Sequence, residues 1–370
     1  AGGQAQLPVL VRRVDAVQLA EGAHAVSWNQ SQLLTVHAAE PESAAYNIPM
    51  ALWLEGALMV GALRSSLGEV VRRHAVLRTT YEVSNKDGGF AQRVHACVSA
   101  EALVCEASAA DEASAEAEAA ADAGRGFVLL GAGAAVLRST LVSVGEAGSG
   151  GQLLLLSVHH VAFDGASTEV LLGELGALYG ALSVEGGSVE GAGLEELAVQ
   201  YVDYALWQRD ELAPLLESQR GYWREQLREG ALAALELPLD LPRPAVQTYA
   251  GGVVEVSLGR EVVEGLEAAG RPHGCTLFQL VLAVWSLLLC RHAGQEEVVV
   301  GAPYHGRDAA GTDALVGYFV NMLALRVEVA RGGSLTGLVR GARDAATGGL
   351  RHGAIPFQMV VHEVLPRQSH

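Results

Sequence analysis

The strongest constraint in this sequence is a change of period around one glycine. Leu153 to Val158 is a short apolar run suited to a strand buried on both faces. It leads into His159-His160-Val161-Ala162-Phe163-Asp164-Gly165. Beyond Gly165, the residues Val170, Leu171, Leu175, Leu178 and Leu182 take up helical spacing, with Ser167 or Thr168 available as an N-cap. Strand, turn and helix therefore follow one another, and two histidines stand at the strand end, a position that commonly faces a crevice in α/β folds.

The same alternation runs through the chain and predicts an α/β fold. Val26 to His37 mixes polar and apolar residues without clear repeat. Val60 to His74 reads as a helix with Leu63, Leu67, Val70 and Val71 on one side, and Leu77 to Val83 as extended. Glu106 to Gly124 is rich in Ala, Glu and Asp: either an exposed acidic helix or a low-complexity insertion, with the composition favouring helix. Gly145 to Gly151 is a glycine-rich turn. Gly186 to Gly193 is the best linker, which divides the chain into 1–185 and 186–370. A helical region from Leu194 to about Leu227 is expected to break near Pro214. Leu237 to Pro244 must be irregular. Val253 to Leu258 alternates like a strand, Thr276 to His292 reads as a buried helix, and Val298 to Val300 as a central strand.

Composition narrows the function classes. The 370 residues are 50% hydrophobic, which suffices for one large two-lobed unit or two ordinary domains. A formal charge of −17 argues against general nucleic-acid binding. Cys97, Cys105, Cys275 and Cys290 lack C-x-x-C spacing and suit thiols of a reducing compartment, with Cys275 and Cys290 expected in the core; neither a disulfide frame nor a zinc site is implied. No signal peptide or bilayer-spanning run is visible, so no membrane association is expected. The chain begins at Ala1 without methionine, as a piece of something larger would.

A histidine at the strand end can serve as a general base, or hydrogen-bond to charge forming on a reacting group. Asp164 can fix the loop by pairing with an arginine, and Gly165 permits close backbone approach by a substrate. A His-His pair can also do no more than satisfy local hydrogen bonds, and a metal site would need further ligands. The sequence contains no G-x-S-x-G elbow, P-loop or dinucleotide fingerprint.

His159 to Gly165 resembles the H-H-x-x-x-D-G signature of nonribosomal peptide synthetase condensation domains, and further motifs of that family appear in order. Ser27-Trp28-Asn29-Gln30-Ser31-Gln32-Leu33 is a weak form of the first. Arg73-His74 with Leu77-Arg78-Thr79 and Tyr81 is close to the second. Tyr201-Val202-Asp203-Tyr204 with Trp207 is similar to the fourth. Gly301-Ala302-Pro303 with Gly306-Arg307 resembles the segment before the fifth, Val316-Gly317-Tyr318-Phe319-Val320-Asn321 the fifth itself, and His352 to Phe357, less well, the sixth.

The resemblance implies two chloramphenicol-acetyltransferase-like lobes in a V, with a tunnel between them and His160 at its middle. It implies an acyltransferase that joins an upstream carrier-bound acyl or peptidyl thioester to the amine of a downstream carrier-bound aminoacyl thioester. There would be no intrinsic cofactor; both substrates would ride on 4'-phosphopantetheine. The implied partners are upstream and downstream peptidyl carrier domains and an adjacent adenylation domain, in the cytoplasm. His160 would take the amine proton or stabilise the tetrahedral intermediate, His159 would hold the loop, and the Gly165 amide is a candidate oxyanion donor. Arg307 is expected to pair with Asp164, Arg73 and Arg78 to form structural pairs near the site, and Asn321 to line the tunnel or cap a strand. Tyr204 and Trp207 fall at helical spacing and suit the core.

The pattern is not followed throughout. Ala166 stands where many members carry tryptophan, and the chain stops soon after the sixth motif, which implies an incomplete second lobe. Tyr46-Asn47-Ile48-Pro49 resembles members that accept L-configured donors. An epimerisation domain, a stand-alone acyltransferase using coenzyme A or an alcohol acceptor, and an inactive carrier-docking scaffold are the alternatives. A cyclisation domain would carry D-x-x-x-x-D in place of the two histidines.

Overall fold

The structure is a computed structural model and describes residues 7–15, 19, 22–84, 88–96, 99–131, 135–145, 151–228, 234–244 and 251–364. Cys97 and most of the expected turn at Gly145 to Gly151 lie outside these residues. The fold is mixed α/β, as expected, and divides into two compact units. The first comprises 7–213 and 307–320, and the second 214–306 and 321–364.

The first unit holds β1 (His24–Ala25), α1 (Trp28–Ala39), β2 (Asn47–Leu54), α2 (Val60–Arg73), β3 (Thr79–Val83) and β4 (Phe90–Val94). There follow α3 (Ala100–Leu103), β5 (Cys105–Ala109), α4 (Glu112–Ala123), β6 (Leu137–Val144), β7 (Gln152–His159), α5 (Gly165–Leu182) and α6 (Tyr201–Asp210). Its main sheet has the order β2-β7-β6-β5, antiparallel except for the β5–β6 pair, and a smaller sheet has the order β1-β4-β3. β7 is central: His159 lies opposite Asn47 of β2, and Val158 opposite both Ile48 of β2 and Leu137 of β6. Every side chain from Leu153 to His159 is buried, as a strand covered on both faces requires. Burial of each large aliphatic residue contributes about 1.5–3 kcal/mol. Ala115 of α4 packs on one face against Val142, Val144, Leu153 and Leu155, and α2 packs against α5.

Several expectations need correction here. The Ala/Glu/Asp-rich stretch is both strand and helix: β5 joins the sheet, and α4 begins after Asp111, whose carboxylate accepts from the Ser114 amide. Val26 to His37 is largely helix α1, opened by a capping box between Ser27 and Gln30. Its period is blurred because Asn29, Gln30 and His37 are buried polar groups. Gly186 to Gly193 is no link between the units. It is a short turn that packs back on α5 inside the first unit, ending at Gly193 with φ of 64°. Residues 194–200 are not helical, and α6 begins only at Tyr201.

The second unit contains α7 (Ala213–Gln226), α8 (Arg260–Gly270), α9 (Leu277–Ala293), β8 (Glu297–Tyr304), β9 (Asn321–Glu328), α10 (Leu335–Arg351) and α11 (Phe357–Val364). Pro214 falls in the first turn of α7, where its missing N–H costs nothing, and the helix break precedes it. Among the described residues β8 pairs only with β9, so it is not the central strand expected. α10 packs on β9, and α9 on α10. α9 is only half-buried: Phe278, Val281, Trp285 and Leu288 are exposed. Cys290 lies in the core, Cys275 is partly exposed and Cys105 is exposed. Residues 251–259 form no strand, and no partner strand among the described residues meets the alternating side chains of Val253 to Leu258. The stretch from Leu237 to Pro244 is irregular, as its prolines demand. No single helix among the described residues is long and apolar enough to cross a membrane.

Candidate active site

β7 ends at His159, and a single 3₁₀ turn, His160–Ala162, follows directly at the strand's C-terminal end. His159 is the last strand residue and points inward. Its Nδ1 accepts from the Val161 amide at 3.0 Å, and it is 2% exposed. Burial, reinforced by His37, His160 and Arg138, pushes its pKa down to about 3. It is therefore neutral near neutral pH and holds the turn.

His160 points the other way and is only half-buried. Its amide donates to the Tyr46 carbonyl at 2.8 Å, and its Nδ1 lies 2.7 Å from the Phe163 carbonyl oxygen. A carbonyl only accepts, so Nδ1 carries a proton, and it is Nε2 that presents a lone pair whenever the ring holds a single proton. The ring of Tyr318 stands edge-on to the imidazole with centroids 4.9 Å apart. Burial, with Tyr46 and Asp164 nearby, raises the Tyr318 phenol to about 12.

Asp164, fully buried, is the N-cap of α5, accepting from the Ser167 amide at 2.9 Å. Ser167 and Thr168 are thus not the cap; the strand-turn geometry brings the helix in three residues earlier. The same carboxylate takes the Arg307 guanidinium at 2.8 Å and the Phe319 amide at 3.0 Å. Arg307 also donates to the carbonyls of Thr312 (2.6 Å) and Leu315 (2.7 Å) and lies over the Phe319 ring. The expected Arg307–Asp164 pair is therefore formed and folds the segment 307–320 onto the first unit. Gly317 is demanded by packing: a Cβ there would meet the Tyr201 ring at 2.2 Å. At Gly165 a Cβ would meet nothing within 4 Å. Intramolecular packing does not require glycine there, and the Gly165 amide belongs to the first helical turn, whose N–H groups have no intrahelical acceptor.

Arg73 binds Glu174 through two bonds, at 3.0 and 2.9 Å, and also donates to the Glu195 carbonyl. Arg78 is engaged elsewhere, donating to the His95 carbonyl and lining a cavity of about 610 Å³ with Arg125 and Arg138. Asn321, in the second unit, commits its amide nitrogen to the carbonyls of Gly353 and Ile355 and its oxygen to the Phe357 amide. It fastens the start of β9 to the segment before α11. Tyr204 and Trp207 are buried in the core as expected.

Glu174, Tyr201 and Tyr318 were not assigned roles from the sequence, and Ser167 only that of a candidate N-cap, yet they complete this network. Tyr201 donates to the Tyr318 carbonyl at 2.6 Å, and Gln30 donates to the Val161 carbonyl at 3.1 Å. Among the described residues, no group of three His, Cys, Asp or Glu is placed to hold a metal ion.

A family model described as Condensation domain matches residues 21–370. The chain belongs to the condensation-domain family. One of the linear gramicidin synthase subunits of Brevibacillus parabrevis is 36% identical over 346 residues, which are 92% of this chain and 4% of that protein. Malpinin synthetase of Mortierella alpina is 33% identical over 325 residues, 88% of this chain and 4% of that protein. This condensation domain thus spans a small part of the curated relatives it matches. Two solved structures share the fold. The X-domain in its complex with OxyB from teicoplanin biosynthesis superposes with a TM-score of 0.84 at 24% identity, covering 98% of this chain and 77% of that one. The first condensation domain of the calcium-dependent antibiotic synthetase, with a substrate analogue, gives 0.73 at 22% identity, covering 94% and 79%.

Proposed function

We propose that this condensation domain forms an amide between an upstream carrier-bound acyl or peptidyl thioester and the amine of a downstream carrier-bound aminoacyl thioester, with His160 as general base. The observation that carries the role is the Nδ1–Phe163 carbonyl contact of 2.7 Å on a half-buried ring. It fixes the tautomer whose Nε2 accepts a proton, which favours base over oxyanion donor for the resting imidazole. The amine attacks the thioester carbonyl and gives its proton to Nε2. The tetrahedral intermediate collapses with cleavage of the C–S bond, and the proton passes to the departing pantetheine thiolate. The Gly165 amide is the proposed oxyanion donor, while His159 and Asp164 hold the turn. Thioesters are already activated, so much of the acceleration comes from holding the two reactants together, worth at most about 7–11 kcal/mol.

Each unit is proposed to be an acetyltransferase-like lobe. The substrates arrive on 4'-phosphopantetheine arms of flanking peptidyl carrier domains, beside an adenylation domain and in the cytoplasm, with no cofactor of the domain's own. His160→Ala is expected to lower amide formation on loaded carriers by about 10²–10⁴-fold, the usual contribution of a positioned base, with an unchanged far-UV spectrum. A near wild-type yield defeats the assignment. Exchange of the α-proton of a carrier-bound aminoacyl group would instead indicate epimerisation, turnover of free acyl-CoA a stand-alone acyltransferase, and carrier binding without turnover a docking scaffold.

A further inference from the structure

We infer that His74, oriented by Glu174, is a positioning residue for His160, acting through the backbone of Val316 to Phe319. The inference rests on His160 being the reactive imidazole.

His74 ends α2 and is 1% exposed. Its two ring nitrogens have different partners. Nε2 lies 2.9 Å from the Glu174 carboxylate, and Nδ1 lies 3.2 Å from the Val316 amide nitrogen. An amide N–H only donates, so Nδ1 is the acceptor and Nε2 carries the proton given to Glu174. Arg73 occupies both carboxylate oxygens from the other side. Burial works to raise the Glu174 carboxyl, but the hydrogen bonds from His74 and Arg73 and the charge of the Arg73 guanidinium outweigh it and hold it at about 2. Glu174 is therefore an anion that fixes both tautomer and direction of the His74 ring.

What this ring holds is the start of a short irregular segment. Val316 is tied to His74, Gly317 to the Ser167 hydroxyl through both its amide and its carbonyl, and Phe319 to Asp164. Asp164, Ser167 and Glu174 all belong to α5 or its cap, so one helix anchors the segment at three points, the first through His74. Tyr318 is the residue between the anchors, and its ring meets His160. Loss of the Val316 anchor frees the backbone two residues before Tyr318 while leaving the Arg307–Asp164 pair in place.

Two amide substitutions separate the nitrogens. His74→Asn keeps an acceptor near the position of Nδ1, whereas His74→Gln keeps a donor near Nε2 and loses the acceptor for Val316. His74→Gln is expected to lower kcat by between about tenfold and a hundredfold, as an ångström-scale misplacement does, with KM for the loaded carriers within twofold. His74→Asn should stay within threefold of wild type. Two further readouts on the whole chain need no turnover. The Val316 amide should exchange at least tenfold faster in His74→Gln alone, and the NMR resonance of the His160 Cε1 proton should move in that variant alone, because the Tyr318 ring no longer faces it. Equal losses of kcat in both variants, or an unmoved His160 resonance in His74→Gln, overturn the inference. If wild type makes no amide, the reading of function fails, and exchange and resonance still decide whether His74 places the segment against His160.

Discussion

In the first unit the strand before His160 buries every side chain from Leu153 to His159. In the second, Val253, Val254, Val256 and Leu258 are between 58% and 91% exposed. The contrast extends to helices. α5 turns Leu171, Glu174, Leu175 and Leu178 into the core of its unit, whereas α9 leaves Phe278, Val281, Trp285 and Leu288 in contact with water. Two buried carboxylates of the first unit, Asp164 and Glu174, each accept from several donors. The proposed site, which would need its imidazole held to fractions of an ångström, is thus set beside a strand and a helix whose side chains are well buried. The other unit exposes apolar area of the kind that marks an interaction surface or a weak point. Local opening follows the density of buried contacts, so the two units should respond to different perturbations.

The largest separation is expected from Arg307→Ala. Removal of the guanidinium leaves the fully buried Asp164 carboxylate with only hydrogen-bond donors, and breaking a buried pair in this way costs about 3–5 kcal/mol. Denaturant unfolding followed by hydrogen exchange should show that loss in β7 and α5, with α9 and β8 unchanged. An equal loss in both units would mean that they unfold as one, and the contrast would be without energetic content.

Acid should act next, and on the first unit. His159 has its pKa depressed from 6.5 to about 3, and Glu174 from 4.5 to about 2. Depressed values mean that the unfolded chain binds the proton first. The stability these groups contribute is whole above their unfolded values and falls as pH drops towards the folded ones. Loss therefore begins below pH 6.5 through His159 and steepens below 4.5 as Glu174 joins. For Glu174 the full drop is about 3 kcal/mol, taken as 1.36 kcal/mol per pKa unit. Glu174→Gln should remove the steeper stage while the shallower one remains. Unfolding free energies measured from pH 7 to pH 3 test this, and a variant that keeps the wild-type slope below pH 4.5 would break the assignment.

How far the sequence disclosed this arrangement depends on the range of the interactions. The strand, turn and helix around His160 were legible because local period and glycine placement decide them. The Arg307–Asp164 pair spans 143 positions and was legible only through the family resemblance. Glu174 had a signal that went unread: it sits with Leu171, Leu175 and Leu178 on the i, i+3, i+4, i+7 stripe of α5, and a carboxylate on a buried face requires a partner. Tyr318 had no such signal, since its place depends on anchors from α2 and α5. The Val253 to Leu258 strand failed for another reason. Alternation specifies two faces, but a strand exists only where a neighbouring strand accepts its hydrogen bonds, and the described residues provide none.

The smallest effect is expected at that same segment, and it is the most direct check of the contrast. Val256 is 78% exposed, so Val256→Ser removes little buried area. Surface changes away from special features usually stay within about 0.5 kcal/mol. Truncation of a buried aliphatic such as Leu156, 0% exposed, costs about 2–5 kcal/mol. The two variants should therefore differ in unfolding free energy by several-fold, while Val256→Ser lowers the binding of a dye that reports exposed apolar surface. A cost for Val256→Ser approaching that of Leu156→Ala, with dye binding unaltered, would mean that the valine is covered in solution. The two units would then be equally well packed, and the placement of the imidazole in the first would need another explanation.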